Sequence, residues 1–437
     1  MKQQDASCIK RYRRSVDLKN VAIEEELVTS GLPQPTRRAL LRALGAMAAT
    51  GLVGPAMQAR AATGRVVLPF QNGERDLIAF PQKRPLIVLT TRPPQLETPF
   101  SVFREGLLTP NDAFFVRYHW SGIPTSVDPA AFRLRVGGKV NAPLELSLDE
   151  LKRIAEPLEI VAVNQCSGNG RGHFAPRVNG GQLSNGAMGN ARWTGVPLKR
   201  VLEKAGIQAG AVQVTFGGLD RPPLGTGPSF IKALPVEHAL DGEVMLAWSM
   251  NGEDLPLLNG YPLRLVVPGH YGTYWVKHLS DINVIDKPFD GFWMSRAYRI
   301  PDNACACVEP GTAPAATVPI NRFNVRSFVT SLLEGETVPA GVHTTVRGIA
   351  FDGGFGIAKV AFSADGGRTW IDAHLDRDRG KYAFRGWTAP FKPATRGSYA
   401  LQARAFNRAG ESQPMTAIWN PAGYMRNVVE TVTVSAV

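Results

Sequence analysis

Apolar positions along this 437-residue chain fall in short runs broken by Gly, Pro, Asp and Asn, not in long helical stripes. From about residue 65 to 300 the pattern mixes helix and strand. Ser147-Leu-Asp-Glu150 reads as a capping box opening a short helix whose apolar face is Leu151 and Ile154. Thr194 to Gly206 reads as a second short helix, with a proline near its start and a glycine at its end. Strands are expected at Phe132–Val136, Ile160–Val163, Val212–Phe216 and Leu263–Val267, and the Gly-rich stretch 168–190 is expected to be a binding loop. Beyond a Pro/Ala-rich linker at 309–319 the pattern becomes nearly all β. Thr345–Phe351, Ala358–Ser363, Thr369–His374 and Tyr399–Phe406 are parted by Asp-Gly-Gly and Asn-Arg-Ala-Gly turns, the rhythm of an immunoglobulin-like sandwich. The fold class that follows is α+β for residues 62–308 and an all-β module for residues 320–437.

Gly (44) and Pro (33) are abundant, which reinforces strands, turns and loops over helical bundles. The formal net charge is +12; without residues 1–61 the remainder carries +7, from 39 basic against 32 acidic side chains. A positive surface favours anionic substrates or acidic partners. No basic stretch is interleaved with aromatics, which argues against nucleic-acid binding. Residues 1–61 read as an export signal. Arg37-Arg38 resembles a twin-arginine motif, the Ala/Gly-rich run from Ala43 to Met57 is too short for a permanent membrane span, and Ala59-Arg60-Ala61 is a small-x-small cleavage pattern. Export in the folded state, to the periplasm, is what a protein needs when its cofactor is inserted in the cytoplasm.

Past the signal three cysteines remain, an odd count that argues against a disulfide framework. Cys305 and Cys307 stand too close for easy mutual bridging; a Cys-x-Cys can bind metal or act in redox exchange, but a packing or partial structural role is expected for them. There is no Cys-x-x-Cys-His, so no haem c attachment is encoded. Cys166, in Asn164-Gln-Cys-Ser-Gly-Asn-Gly-Arg171, has no His or Cys beside it at metal-ligand spacing. A zinc or iron–sulfur site would require several protein ligands. A lone thiolate completes a metal site only where a cofactor supplies the other ligands, and Arg171 suggests an anion near that sulfur. Arg117 and His119, two residues apart in an extended segment, share a face.

Phe114-Phe-Val-Arg-Tyr-His119, then Asn164 to Arg171, then Gly260-Tyr-Pro-Leu-Arg-Leu-Val-Val-Pro-Gly269 and Tyr274-Trp-Val-Lys277 occur in the order seen in the sulfite oxidase family of molybdenum enzymes. The chain resembles that family from about residue 90 to its end, and looks nearest to bacterial periplasmic sulfite dehydrogenases without a haem domain. The resemblance implies a molybdopterin cofactor with Cys166 as the protein's metal ligand, and Arg117, Arg171 and Tyr298 at the substrate. It places His119, Asp220, Asn259, Arg264 and Lys277 on the pterin and its phosphate, together with Arg117, and Trp275 and Val276 in the same cofactor segment. It also implies a homodimer formed through the β module and a separate cytochrome c as electron acceptor.

Departures from the animal members concern the substrate pocket. Asn259 stands where they carry a histidine, Ala422 where they supply a further arginine, and Leu183 where they place a tryptophan. Arg426 reaches that arginine's place only from a different backbone position. Oxidation of sulfite to sulfate is the expected activity. Oxidation of protein-bound sulfane sulfur, reduction of an S-oxide or nitrate on the same fold, and a cofactor-less binding protein are the alternatives.

Overall fold

The computed structural model describes residues 60–437 except 68–73 and Leu224. The export signal lies outside the described residues apart from Arg60 and Ala61, which open the first strand. Strands dominate both modules. Among the described residues the longest α-helix is the eight-residue Leu198–Ala205, and none is long and apolar enough to cross a membrane. The α+β expectation for the first module is therefore corrected to mostly β with a few short helices.

Alternation explains why. Phe132, Leu134 and Val136 are buried while Arg133 and Arg135 are exposed, so the segment presents one apolar face and forms the strand Leu134–Gly138. That strand sits in a five-stranded sheet ordered Ile231–Pro235, Gln213–Gly218, Leu279–Ile285, Leu134–Gly138, Leu144–Leu146, with its one parallel pairing between Leu279–Ile285 and Leu134–Gly138. A second sheet runs Glu253–Asp254, Met245–Met250, Met188–Pro197, Leu158–Gln165, with Arg264–Val266 added against Met245–Met250. A third is a meander from Arg60–Val67 through Glu74–Ala79, Leu86–Thr91 and Pro94–Glu97 to Val116–Arg117.

The capping box forms as read: Ser147 accepts from the Glu150 backbone and Glu150 reaches back to Ser147 in front of helix Leu148–Lys152. The second helix starts later than expected. Thr194 to Pro197 are strand, because Val196 and its neighbours pair with Leu246 and Ala247, and Pro197 precedes the first helical residue. The 168–190 stretch departs from loop only at a single 3-10 turn, Arg171–His173, and at its end, where Met188 begins a ten-residue strand.

In the C-terminal module two sheets enclose a common core. One is Arg326–Val329, Thr344–Phe351, Arg385–Phe391, His374–Leu375; the other is Thr337–Val338, Thr431–Ala436, Gly397–Asn407, Ile357–Ser363, Ile371–Asp372. Val346, Val360, Phe362, Trp387, Leu401 and Val434 fill the space between them. The linker is not free-standing. Thr317–Pro319 pairs with Arg299–Pro301, and Ile320, Phe323, Phe351 and Phe384 join the core of the first module. Cys305 and Cys307 are joined in a disulfide with their Cα atoms 5.1 Å apart, which corrects the expectation that they stand too close to bridge. A turn with Ala306 at φ 49° brings the two sulfurs round to meet.

Candidate active site

The strand Leu158–Gln165 delivers Cys166 to the floor of a cleft at its own C-terminal end. Hydrogen bonding to Met188–Pro197 holds that strand, and the Cys166 N–H donates to Ala187 O at 2.9 Å. Cys166 is 9% exposed and is the one unpaired cysteine among the described residues. Around it stand Arg117, His119, Asn164, Ser167, Asn259, Arg264, Thr273, Lys277 and Tyr298, with Phe115, Phe230 and Leu258 as apolar walls. The cleft encloses about 460 Å³ of empty space including its mouth. Three of its lining residues are cationic and none is acidic.

Arg117 and His119 reach it from one extended segment, as alternation requires. Tyr118, between them, turns the other way and donates its hydroxyl to His278 Nε2 at 2.6 Å, while His278 Nδ1 donates to Tyr261 O. His119 stacks on Phe230 with centroids 4.0 Å apart, and its Nε2 pairs with the Tyr298 hydroxyl. Burial, then the charges of Arg117, Lys277 and Lys232, hold His119 well below the ordinary histidine range, so it is neutral and accepts that proton. Burial likewise raises the Tyr298 phenol and keeps it protonated. Tyr298 adopts φ 59°, a left-handed conformation that a bulky L residue rarely takes without tertiary support.

Arg264 lies 5.2 Å from the Trp193 ring and 5.7 Å from the Trp275 ring, and donates to Asn259 O at 2.9 Å. Lys277 donates to Arg117 O at 2.8 Å; burial, then repulsion from Arg264, lowers it to about 7. Asn259 is fixed by Lys83, which donates to its Oδ1, and by its own Nδ2 donating to Phe115 O at 3.1 Å. Asp220 is buried without lining the cleft, and burial raises its carboxyl against the opposing charge of Lys277. Trp275 and Val276 also lie in the core outside the cleft. The Trp275 indole donates to His270 O and its ring covers Arg264.

Arg171 stands behind this wall. Its Nε donates to Ala422 O at 3.1 Å, and its guanidinium lies 5.0 Å from the Tyr424 ring, which in turn stacks on Tyr298 at 5.5 Å. Glycine makes that path possible: a Cβ on Gly168 would stand 2.7 Å from the Arg171 guanidinium carbon. Arg426 does not line the cleft; it pairs with Glu430 at 3.1 Å. Leu183 is buried in the first module's core.

Several contributors had no role assigned from sequence. Asn164 and Ser167 flank Cys166 inside its motif and were within reach of that reading. Thr273, Phe230, Tyr424, Lys83 and Lys232 carry no local signal, since they arrive from four separate segments, Phe230 and Lys232 sharing one. The cleft's unmet polar groups test which ligand fits. Asn164 Oδ1 and Nδ2, Ser167 Oγ, Thr273 Oγ1 and Arg264 Nε are buried without a hydrogen-bond partner. Buried polar atoms are nearly always satisfied, so this set calls for a ligand rich in donors and acceptors. A cysteine sulfur together with basic side chains lining the same cleft suits a pterin dithiolene with its metal and phosphate. Among the described residues no group of three or more His, Cys, Asp or Glu is gathered to hold a metal.

Comparison with known proteins agrees with this donor set. The family model for the oxidoreductase molybdopterin binding domain matches residues 120–293, and that for the Mo-co oxidoreductase dimerisation domain matches 317–436. Mitochondrial sulfite oxidase of Macaca fascicularis is 36% identical over 373 residues, covering 81% of this chain and 66% of that protein. The chain thus spans a little under two thirds of that relative's length. Sulfite oxidase of Gallus gallus is 34% identical over 363 residues, covering 79% of this chain and 77% of that protein. The crystal structure of the sulfane dehydrogenase SoxCD from Paracoccus pantotrophus superposes with a TM-score of 0.64 at 22% identity, covering 94% of this chain and 92% of that one, a likeness of fold. By its two matched domains and its identity to the sulfite oxidases, the chain belongs to the sulfite oxidase family of molybdopterin oxidoreductases.

Proposed function

We propose that the chain is an exported, molybdopterin-dependent sulfite dehydrogenase that oxidises sulfite to sulfate and passes electrons to a separate cytochrome c, working in the periplasm as a homodimer. The observation that carries this reading is the convergence on Cys166 of three cations, a neutral His119–Tyr298 pair and a set of unmet polar atoms, with no acidic side chain lining the cleft.

The bound molybdenum supplies the two-electron redox and oxygen-transfer chemistry. Cys166 holds the metal as a thiolate. Arg264 and Lys277 hold the phosphate end of the pterin, with Asn164, Ser167 and Thr273 as its polar contacts. Arg117 attracts and orients the sulfite dianion by forked hydrogen bonds, and Arg171 adds positive charge from behind Tyr424. Tyr298 supplies a hydroxyl donor, and neutral His119, accepting from it at Nε2, fixes its position in the cleft. The Mo-co dimerisation model over 317–436 supports association through the C-terminal module, which we read as an immunoglobulin-like sandwich.

The test is reduction of ferricyanide or cytochrome c by metal-loaded protein, with sulfite and thiosulfate as separate donors. Sulfite should support turnover, and Cys166→Ala should abolish both turnover and molybdenum retention. Molybdenum present without sulfite turnover would overturn the reading in favour of protein-bound sulfane sulfur as the substrate.

A further inference from the structure

Just past Tyr298 the chain makes a hairpin that the chemistry above leaves unused. The Cys305–Cys307 disulfide closes across a single residue, Ala306, and Cys305 is exposed. A disulfide stabilises mainly by removing freedom from the unfolded chain, and that effect shrinks with the enclosed loop. A ring of this size contributes little by that route. Its backbone is constrained as well: Ala306 is held at φ 49°, where an L residue with a Cβ is disfavoured. Exposed disulfides in constrained turns are the ones that exchange readily.

The hairpin is tied to the turn that positions Arg171. Val308 N donates to Trp419 O at 3.0 Å, and the Trp419 indole donates to Pro176 O at 2.8 Å. Asn420 then closes the turn on Tyr424, with its Oδ1 accepting from Tyr424 N at 3.1 Å and its Nδ2 donating to Tyr424 O at 2.8 Å. Ala422 O within that turn accepts from Arg171 Nε. On the other side Asn303 clasps Cys307, donating to Cys307 O at 2.8 Å and accepting from Cys307 N at 3.2 Å.

We propose that Cys305–Cys307 is a reversible thiol–disulfide exchange site for a dithiol reductant, and that its state sets how firmly the Trp419–Tyr424 turn holds Arg171. One thiolate of the dithiol attacks Cys305 Sγ, the Cys305–Cys307 bond breaks, and Cys307 leaves as thiolate. The second thiolate of the reagent then attacks its own sulfur in the mixed disulfide and releases Cys305. Two electrons pass to the protein, leaving two cysteine thiols and one oxidised cyclic reagent. Opening frees Ala306 to relax, and the Val308–Trp419 tie loosens with it.

The test uses the full, molybdenum-loaded chain titrated with dithiothreitol, followed by thiol alkylation with peptide mapping and by amide deuterium uptake. Cys305 and Cys307 should be alkylated together while circular dichroism is unchanged and buried Cys166 stays unlabelled. Uptake across residues 418–424 should rise several-fold and return on reoxidation. A Cys305→Ser/Cys307→Ser variant, permanently open, should show the same raised uptake; should that variant fail to fold, the wild-type titration decides alone. A bond that opens only on unfolding, or that opens without altering uptake at 418–424, overturns the proposal. Where the sulfite reading holds, the open form also shows a several-fold higher KM for sulfite at nearly unchanged kcat. Opening with raised uptake in a chain that never turns over sulfite would sink that reading and leave this one standing.

Discussion

Single residues in the cleft have separable tasks. Tyr298 is held by His119 at its hydroxyl and by Tyr424 against its ring, so Tyr298→Phe removes the hydroxyl and keeps the packing. Its kcat with sulfite should fall about 100-fold, the low end for losing a positioned acid–base group, while the stability midpoint in urea stays put. Gly168→Ala acts on Arg171 instead. The added methyl would lie within 3 Å of three guanidinium atoms at the end of a flexible side chain, so the arginine yields and the backbone does not. Loss of a charge-assisted hydrogen bond then predicts a rise in KM of about tenfold, read in steady-state kinetics with sulfite. The same residue pair shows why Cys-Ser-Gly-Asn-Gly-Arg was readable as a motif: its first glycine makes room for its own arginine.

The strand Ile231–Pro235 contributes a residue that no periodicity singled out. Lys232 is fully buried, donates to Trp293 O at 2.6 Å, and lies 4.6 Å from the Tyr274 ring and 5.2 Å from the Tyr298 ring. Burial lowers its amine to about 7 from the ordinary 10.5. The folded chain therefore gives up a proton that the unfolded chain keeps between pH 7 and 10.5, so this group makes stability rise with pH across that window. Lys232→Met, which keeps the volume and removes the titration, should flatten that rise; urea unfolding at pH 7.5 and pH 9.5 measures it. Local rules succeeded where an element stands on its own chemistry, as in the Ser147–Glu150 capping box. They failed at Thr194–Pro197, where pairing with Leu246 and Ala247 outweighed helical composition.

Across the molecule, the C-terminal module completes the first one. Arg326 is 1% exposed and reaches from the β module to Gln165 Oε1 at 3.3 Å and Asn185 Oδ1 at 2.9 Å, facing Glu430 at 3.5 Å. Gln165 is the residue before Cys166, so this contact crosses from one module into the Cys166 segment of the other. Arg326→Met leaves Glu430 with Arg426 as its remaining close cation and should cost about 3 kcal/mol, seen as a lower urea midpoint. Shared burial of Ile320, Phe323, Phe351 and Phe384 with the first module's core predicts a single cooperative transition in that experiment.

By itself the sequence determined the all-β character of the C-terminal module, the module order and most of the residues that gather in the cleft. Those depend on alternation, turn residues and contiguous motifs, each carried by neighbours in the chain. Cys166, Arg117, His119, Asn259, Arg264, Lys277 and Tyr298 were all named in advance, and all line one cleft. Tertiary structure decided what lies between segments far apart in sequence. It placed Tyr424 between Arg171 and Tyr298, Lys83 on Asn259, Lys232 beside Tyr298, and Arg426 on Glu430 instead of in the cleft. It also closed Cys305 on Cys307, because a backbone turn at Ala306, which spacing alone does not reveal, sets the direction of both sulfurs. Contacts of that kind depend on where whole strands and turns are brought together in space, and no local pattern encodes that.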